Sequence, residues 1–261
     1  MEVFVTAGPE EAARRAARVV IEAVAESVAA GRAPVVGLAT GSSPLGLYKE
    51  LALAVDRGQV DFSEAYGFAL DEYVGLPAGH PESYREVLVA EVCRRVGLAP
   101  ERLHVPDGSG RNESELAAGA ARYEELIRGV GGIDVQILGI GRNGHIGFNE
   151  PGSSLTSRTR VKRLSSRTRA DNARFFESLD DVPTHCVTQG LGTVLEARRL
   201  LLVATGASKA PAVAAAVEGP LTASCPGSVL QFHADALVVV DEAAAAGLRN
   251  REYYDESAAG L

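Results

Sequence analysis

Short apolar runs of β character alternate with longer helical patterns along almost the whole chain, and this alternation constrains the fold more than any single motif does. The runs Val3–Thr6, Pro34–Ala39, Ala65–Leu70, Ile133–Ile140, Leu200–Thr205 and Ala236–Val240 read as strands. Helical patterns fill the intervals, roughly Glu10–Ala30, Pro44–Val55, Pro81–Val96, Glu113–Arg128 and Lys209–Glu218. The central strands are near-continuous Val, Ile and Leu, as expected where helices cover both faces of a parallel sheet. The pattern predicts one doubly wound α/β domain over residues 1–261, with a mostly parallel sheet. No Pro/Ser-rich linker, internal repeat or low-complexity tract interrupts it.

Bulk properties exclude several classes. A chain of 261 residues with 46% hydrophobic and 23% charged residues can bury a substantial core. Its net charge of −8 argues against nucleic acid as a partner, because phosphate neutralisation needs a positive face. Cys93, Cys186 and Cys225 are widely spaced and form no CxxC pair, which fits reduced thiols better than disulfides or zinc. The N-terminal stretch does not read as a signal peptide, and no apolar run approaches a membrane span. A soluble, cytoplasmic protein is expected.

Chemistry-bearing residues gather at the predicted strand ends. Gly139–Pro151 reads GIGRNGHIGFNEP and sets His145 and Glu150 five residues apart after an apolar strand. In open α/β sheets that end is where ligands bind, so the pair is a candidate for acid/base work. A glycine-rich connection with a solvated His and Glu is the alternative. The segment Thr40-Gly41-Ser42-Ser43 ends a strand and opens a helix, with Ser43 as expected N-cap and Pro44 in the first turn. It lacks the Walker A and GxGxxG patterns, so it reads as a sugar-phosphate site or as a plain capped helix. Asp71 and Glu72 follow another strand, and successive residues diverge, so at most one should face a ligand. Asp71 as a helix cap is the competing reading. Lys209 enters a helix after Leu200–Thr205, placed to meet an anion. From Arg158 to Arg174 seven basic residues face one acid, Asp171, which suggests a solvated face or an anion-binding lid. No zinc-like ligand cluster or GxSxG elbow is present, and no metal is expected.

The segments LATGSSPLGLYKEL, ALDEYVGLPAGHPESY, GIGRNGHIGFNEPGSSLTSRTRVK, TRADNARFF and GASKA together resemble glucosamine-6-phosphate deaminases over nearly the whole chain. The resemblance implies a Rossmann-like sheet, a lid over roughly residues 158–182, and conversion of glucosamine 6-phosphate and water to fructose 6-phosphate and ammonium. It implies no redox cofactor; none of any kind is expected. Carried onto this sequence, it makes Asp71 the base at the sugar C2, His145 the residue that assists ring opening, and Glu150 its partner. Asn143 stands where many members have Asp, and is a candidate supporting residue. Phosphate contacts fall on Thr40, Gly41, Ser42, Ser43, Arg174 and Lys209. Ser153, Arg160, Lys162 and Tyr253 match an N-acetylglucosamine 6-phosphate site of hexameric members, with Arg163 in place of a Thr. The resemblance leaves activation open and makes a homo-oligomer a candidate state. Two other readings compete: a related 6-phosphogluconolactonase, and a sugar-phosphate-sensing effector module. LDEYVGL and FNEP argue against the first; the lack of room for a DNA-binding domain argues against the second.

Overall fold

In the computed structural model, which describes residues 1–259, the alternation becomes a parallel sheet with helices between its strands. The chain begins β1 (Glu2–Thr6), α1 (Pro9–Ala29), β2 (Val35–Leu38), α2 (Leu45–Asp56), β3 (Tyr66–Ala69) and β4 (Asp71–Tyr73). There follow α3 (Tyr84–Leu88), a π-helical segment (Val89–Cys93), α4 (Arg94–Val96), β5 (Leu103–His104) and α5 (Glu113–Gly129). The middle holds β6 (Val135–Leu138), β7 (Arg160–Arg163), α6 (Ser166–Asn172), β8 (His185–Thr188) and α7 (Leu191–Leu195). Then come β9 (Arg199–Ala204), α8 (Ala210–Val217), β10 (Ala236–Asp241), α9 (Glu242–Ala245) and α10 (Arg251–Ala259).

Seven strands pair in the order β1-β10-β9-β6-β2-β3-β5, each parallel to its neighbours. The chain winds outward from β2 through β3 to β5, returns to β6 on the other flank of β2, and winds outward again through β9 and β10. That reversal opens a crevice at the carboxyl ends of β2 and β6, where doubly wound sheets bind ligands. All four residues of β2 and all four of β6 are buried. Alternate side chains point to opposite faces, so both faces are covered. The covering helices are amphipathic: α1 starts at Pro9, and its buried residues include Ala12, Ala16, Val20, Ala23 and Val24. The Asn112 side chain caps α5 by accepting from Glu115 N at 2.9 Å.

A second sheet, β4-β8-β7, is antiparallel and has no counterpart among the predicted strands. Its segments DEY, HCVT and RVKR are short and mostly polar, so periodicity could not find them. Glu124 of α5 anchors it by accepting from Thr159 N at 2.8 Å and from the hydroxyls of Thr159 and Thr193 at 2.5 Å. Arg158 pairs with both Glu124 and Glu196. The opening of the span read as a lid, residues 158–163, is thus fixed in a sheet. One local expectation is corrected. Ser43 does not cap α2; Pro44 flanks its first residue, and no side-chain cap is made at that end among the described residues. Among the described residues, no helix is long and apolar enough to cross a membrane.

Candidate active site

Loops after β2, β6 and β9 meet at the crevice because these strands are neighbours in the sheet. A Cβ on Gly139 would lie 3.6 Å from the Ser43 Cβ, so the β2 and β6 loops touch. Lys209, in a 3₁₀ turn (Ala207–Lys209) before α8, reaches across and donates from Nζ to the Ile140 carbonyl at 2.6 Å. Asp241 holds the start of that turn by accepting from Gly206 N at 2.9 and 3.0 Å. Burial, together with the charges of Arg142 and Arg174, pushes the Lys209 amine below its usual range, while Asp171 opposes them. Cations crowded this way around uncapped backbone favour an anion. Thr40, Gly41, Ser42 and Ser43 lie on the first of these loops, beside the same crevice.

The β6 loop builds an acid/base group. Glu150 is buried, and burial alone would raise its pKa. Hydrogen bonds outweigh that. Thr168 Oγ1 donates to Oε1, Ser165 Oγ to Oε1 at 3.0 Å, and Asn143 Nδ2 to Oε2 at 2.7 Å. The carboxyl is therefore held below the usual range, with His145 contributing. His145 Nδ1 lies 3.8 Å from Glu150 Oε2 and has no hydrogen-bond partner among the described residues. Burial pushes the imidazole below its ordinary value despite Glu150, so it rests neutral near pH 7. Asn143 also accepts from His145 N at 3.2 Å, joining the two residues. Gly141 leaves the space the ring fills, since a Cβ there would lie 2.3 Å from His145 Cε1.

Asp71 faces this loop from the other side. A Cβ on Gly147 would sit 3.4 Å from Asp71 Oδ2 and 3.1 Å from Thr188 Oγ1. Gly147 has φ of 54°, in the left-handed region, so both conformation and space favour glycine. Asp71 lies in β4 and is no helix cap; its carboxylate has no hydrogen-bond donor among the described residues. Burial, then the neighbouring Glu72 charge, raise its pKa to about 8. Glu72 points elsewhere, accepting from Tyr73 N, Ser83 Oγ, Tyr84 N and Arg85 N, and so holds the start of α3. The adjacent carboxylates divide as the strand geometry requires.

The basic stretch dissolves into separate tasks. Arg158 is an ion-pair anchor, Arg160 donates to Asn149 Oδ1 at 2.7 Å, and Arg169 bonds the Leu179 and Val182 carbonyls. Arg174 lies over the Phe175 ring, 4.7 Å from its centroid, on the turn after α6. Arg160 and Lys162 share one face of β7, and Ser153 is buried with no partner for its hydroxyl among the described residues. Tyr253 is 66% exposed on α10, a helix that packs along β1 at the far edge of the large sheet. The structure therefore does not bring Tyr253 together with β7. Sequence reasoning missed Thr168 and Ser165, the donors to Glu150, and Arg142 beside Lys209. Asp171 stood out only as the single acid in the basic stretch, yet its charge acts on both His145 and Lys209.

Known proteins resemble this chain in sequence and in fold. A glucosamine-6-phosphate deaminase of Pseudarthrobacter chlorophenolicus is 53% identical over 254 residues, covering 97% of this chain and 95% of its own. One from Rhodococcus opacus is 58% identical over 218 residues, covering 84% and 83%. A solved monomeric glucosamine-6-phosphate deaminase superposes with a TM-score of 0.89 at 39% identity, covering 95% of this chain and all of its own, 100%. The 6-phosphogluconolactonase of Trypanosoma brucei, at 19% identity and a TM-score of 0.74 over 95% of this chain and 98% of its own, shares the fold. The family described as glucosamine-6-phosphate isomerases/6-phosphogluconolactonase matches residues 7–239, and the chain belongs to it.

Proposed function

We propose that the chain is a glucosamine-6-phosphate deaminase, converting glucosamine 6-phosphate and water to fructose 6-phosphate and ammonium. The observation that carries the reading is Asp71: a buried carboxyl without a donor among the described residues, raised to about 8, facing the His145 loop. A carboxylate so poorly stabilised is a stronger base than a solvated one, which suits removal of a proton from carbon.

The phosphate binds at the Thr40–Ser43 loop with Lys209 and Arg174. Neutral His145 takes a proton from the C1 hydroxyl and delivers one to the ring oxygen, opening the pyranose. Ionised Glu150 stabilises the imidazolium formed in passing, and Asn143 holds the carboxylate toward the ring. The substrate's C2 ammonium group, bound beside Asp71, favours the ionised carboxyl. Asp71 then removes the C2 proton and returns it to C1, giving the ketose imine. Water adds at C2 and the nitrogen leaves as ammonium. Residues 164–182, which carry Asp171 and Arg174, form the lid, with residues 158–163 as its fixed base. The three cysteines are unpaired, which fits a cytoplasmic location.

A lactone hydrolase on this fold needs no C2 proton abstraction and gives Asp71 no task. Purified protein supplied with glucosamine 6-phosphate should release ammonium and fructose 6-phosphate in equal amounts. Absence of ammonium from protein shown to be folded by circular dichroism would sink the reading.

A further inference from the structure

On the far edge of the large sheet, arginines of α1 face a hollow that the proposed reaction does not use. The cavity, about 350 Å³, is lined by Phe4, Arg14, Arg15, Arg18, Glu11 and Ala258, among others, between α1, β1 and α10. The strand β1 is separated from β6 by β10 and β9, so this cavity is distinct from the crevice. Arg14 and Arg18 are one helical turn apart and share a face, with Arg15 beside them. The Arg15 guanidinium lies 3.9 Å over the Phe4 ring, and its Nε is buried with no hydrogen-bond partner among the described residues. None of these arginines forms an ion pair among the described residues, in a chain of net charge −8. A neighbouring hollow of about 400 Å³ between α1 and α2 shares Arg14 and Arg18 and adds Arg57.

Clustered guanidinium groups repel one another, and a buried N–H without an acceptor is costly. A tetrahedral anion relieves the repulsion, because guanidinium donors match its oxygens in pairs. We propose that this cavity binds a small phosphate-bearing anion, held by Arg14, Arg15 and Arg18 above the Phe4 ring. Its volume lies in the range of small-molecule sites. The acidic chain as a whole, with Glu11 and Glu50 lining the two hollows, disfavours a long polyanion.

The test is an NMR titration of the ¹⁵N-labelled full chain, first with inorganic phosphate, then with fructose 6-phosphate, at constant ionic strength. Amides of residues 4–6 and 14–18 should shift saturably. In the Arg14→Gln/Arg18→Gln variant the affinity read at those amides should fall at least tenfold, while amides of residues 40–43 and 206–209 respond as before. Both replaced side chains are exposed, and unchanged amide positions elsewhere verify the fold. Tighter binding of the sugar phosphate identifies a phosphomonoester as the ligand; equal affinities identify free phosphate. No saturable shift at residues 4–6 and 14–18, or the same affinity in the variant, overturns the proposal. So do shifts that follow protein concentration instead of phosphate, which would make this face a contact between copies.

Discussion

The strand β4 and the loop after β6 each bury a carboxyl group, and they treat it in opposite ways. Asp71 is 6% exposed and Glu150 is 9% exposed, so burial does not distinguish them. Glu150 receives hydrogen bonds from Asn143, Ser165 and Thr168 and stays ionised; Asp71 receives none from the described residues and is pushed up to about 8. A site that must hold a fixed negative charge surrounds it with donors. A site that must take up a proton leaves its carboxylate bare, at a cost in stability.

The largest effect that could break this comparison is expected of Asp71→Asn. Turnover should fall by about 10²- to 10⁴-fold, the range for loss of a general base, and exchange of the C2 proton with solvent should cease. Binding of the phosphosugar should survive. Stability should move the other way. A carboxyl whose folded pKa lies above its unfolded value binds more protons when folded, so its contribution falls as pH rises from about 4 to about 8. The amide does not ionise, so the variant's melting temperature should exceed that of the native protein, with a gap that widens across that window. A gap independent of pH, or retained C2 exchange, would remove Asp71 from the base role.

Glu150→Gln should act oppositely on both counts. The lost charge no longer supports the imidazolium, and turnover should drop by about one to two orders of magnitude. Stability should fall too, by roughly 1–3 kcal/mol, because donors from Ser165 and Thr168 lose a charged acceptor. The native Glu150 contribution is present above the ordinary carboxylate range and is lost as pH falls through its depressed pKa. Denaturant midpoints of the two proteins should therefore differ at pH 7 and converge at acid pH. Convergence at pH 7 instead would count against an ionised Glu150.

Lys209→Ala probes the anion side of the crevice, and should raise KM for the phosphorylated sugar by about tenfold. Binding of the dephosphorylated sugar should change little; equal losses would contradict the phosphate assignment. The smallest effect sharpens the Asp71 half of the comparison. The rate kcat/KM should rise with pH on a limb set by the Asp71 carboxyl of the free enzyme. Glu72→Gln removes the neighbouring charge while keeping an acceptor for α3, and should move that limb to lower pH. An unmoved limb would assign it to another group.

Much of this architecture was legible from apolar periodicity, because a parallel sheet buried on both faces leaves near-continuous runs such as Val135–Leu138, broken by Gln136 alone, and Leu200–Ala204. The small antiparallel sheet was not, since RVKR, HCVT and DEY owe their conformation to pairing with one another and to the Glu124 anchor. At the site, Asp71, His145 and Glu150 were visible as polar residues following apolar strands. Their contrast was invisible: Ser165 and Thr168 lie 15 and 18 residues from Glu150, and only the return of the chain through β7 and α6 brings them to it. Ser43 shows the converse. Its spacing suited a cap, but Pro44 takes the flanking position and leaves the helix end uncapped.

Carbon-detected NMR of the side-chain carboxyls, with Asp71 and Glu150 assigned from the Asn and Gln variants, tests the central contrast directly. Asp71 should titrate near pH 8, and Glu150 should remain ionised below the ordinary glutamate range. Titration of both carboxyls together, in the range of solvated side chains, would contradict it.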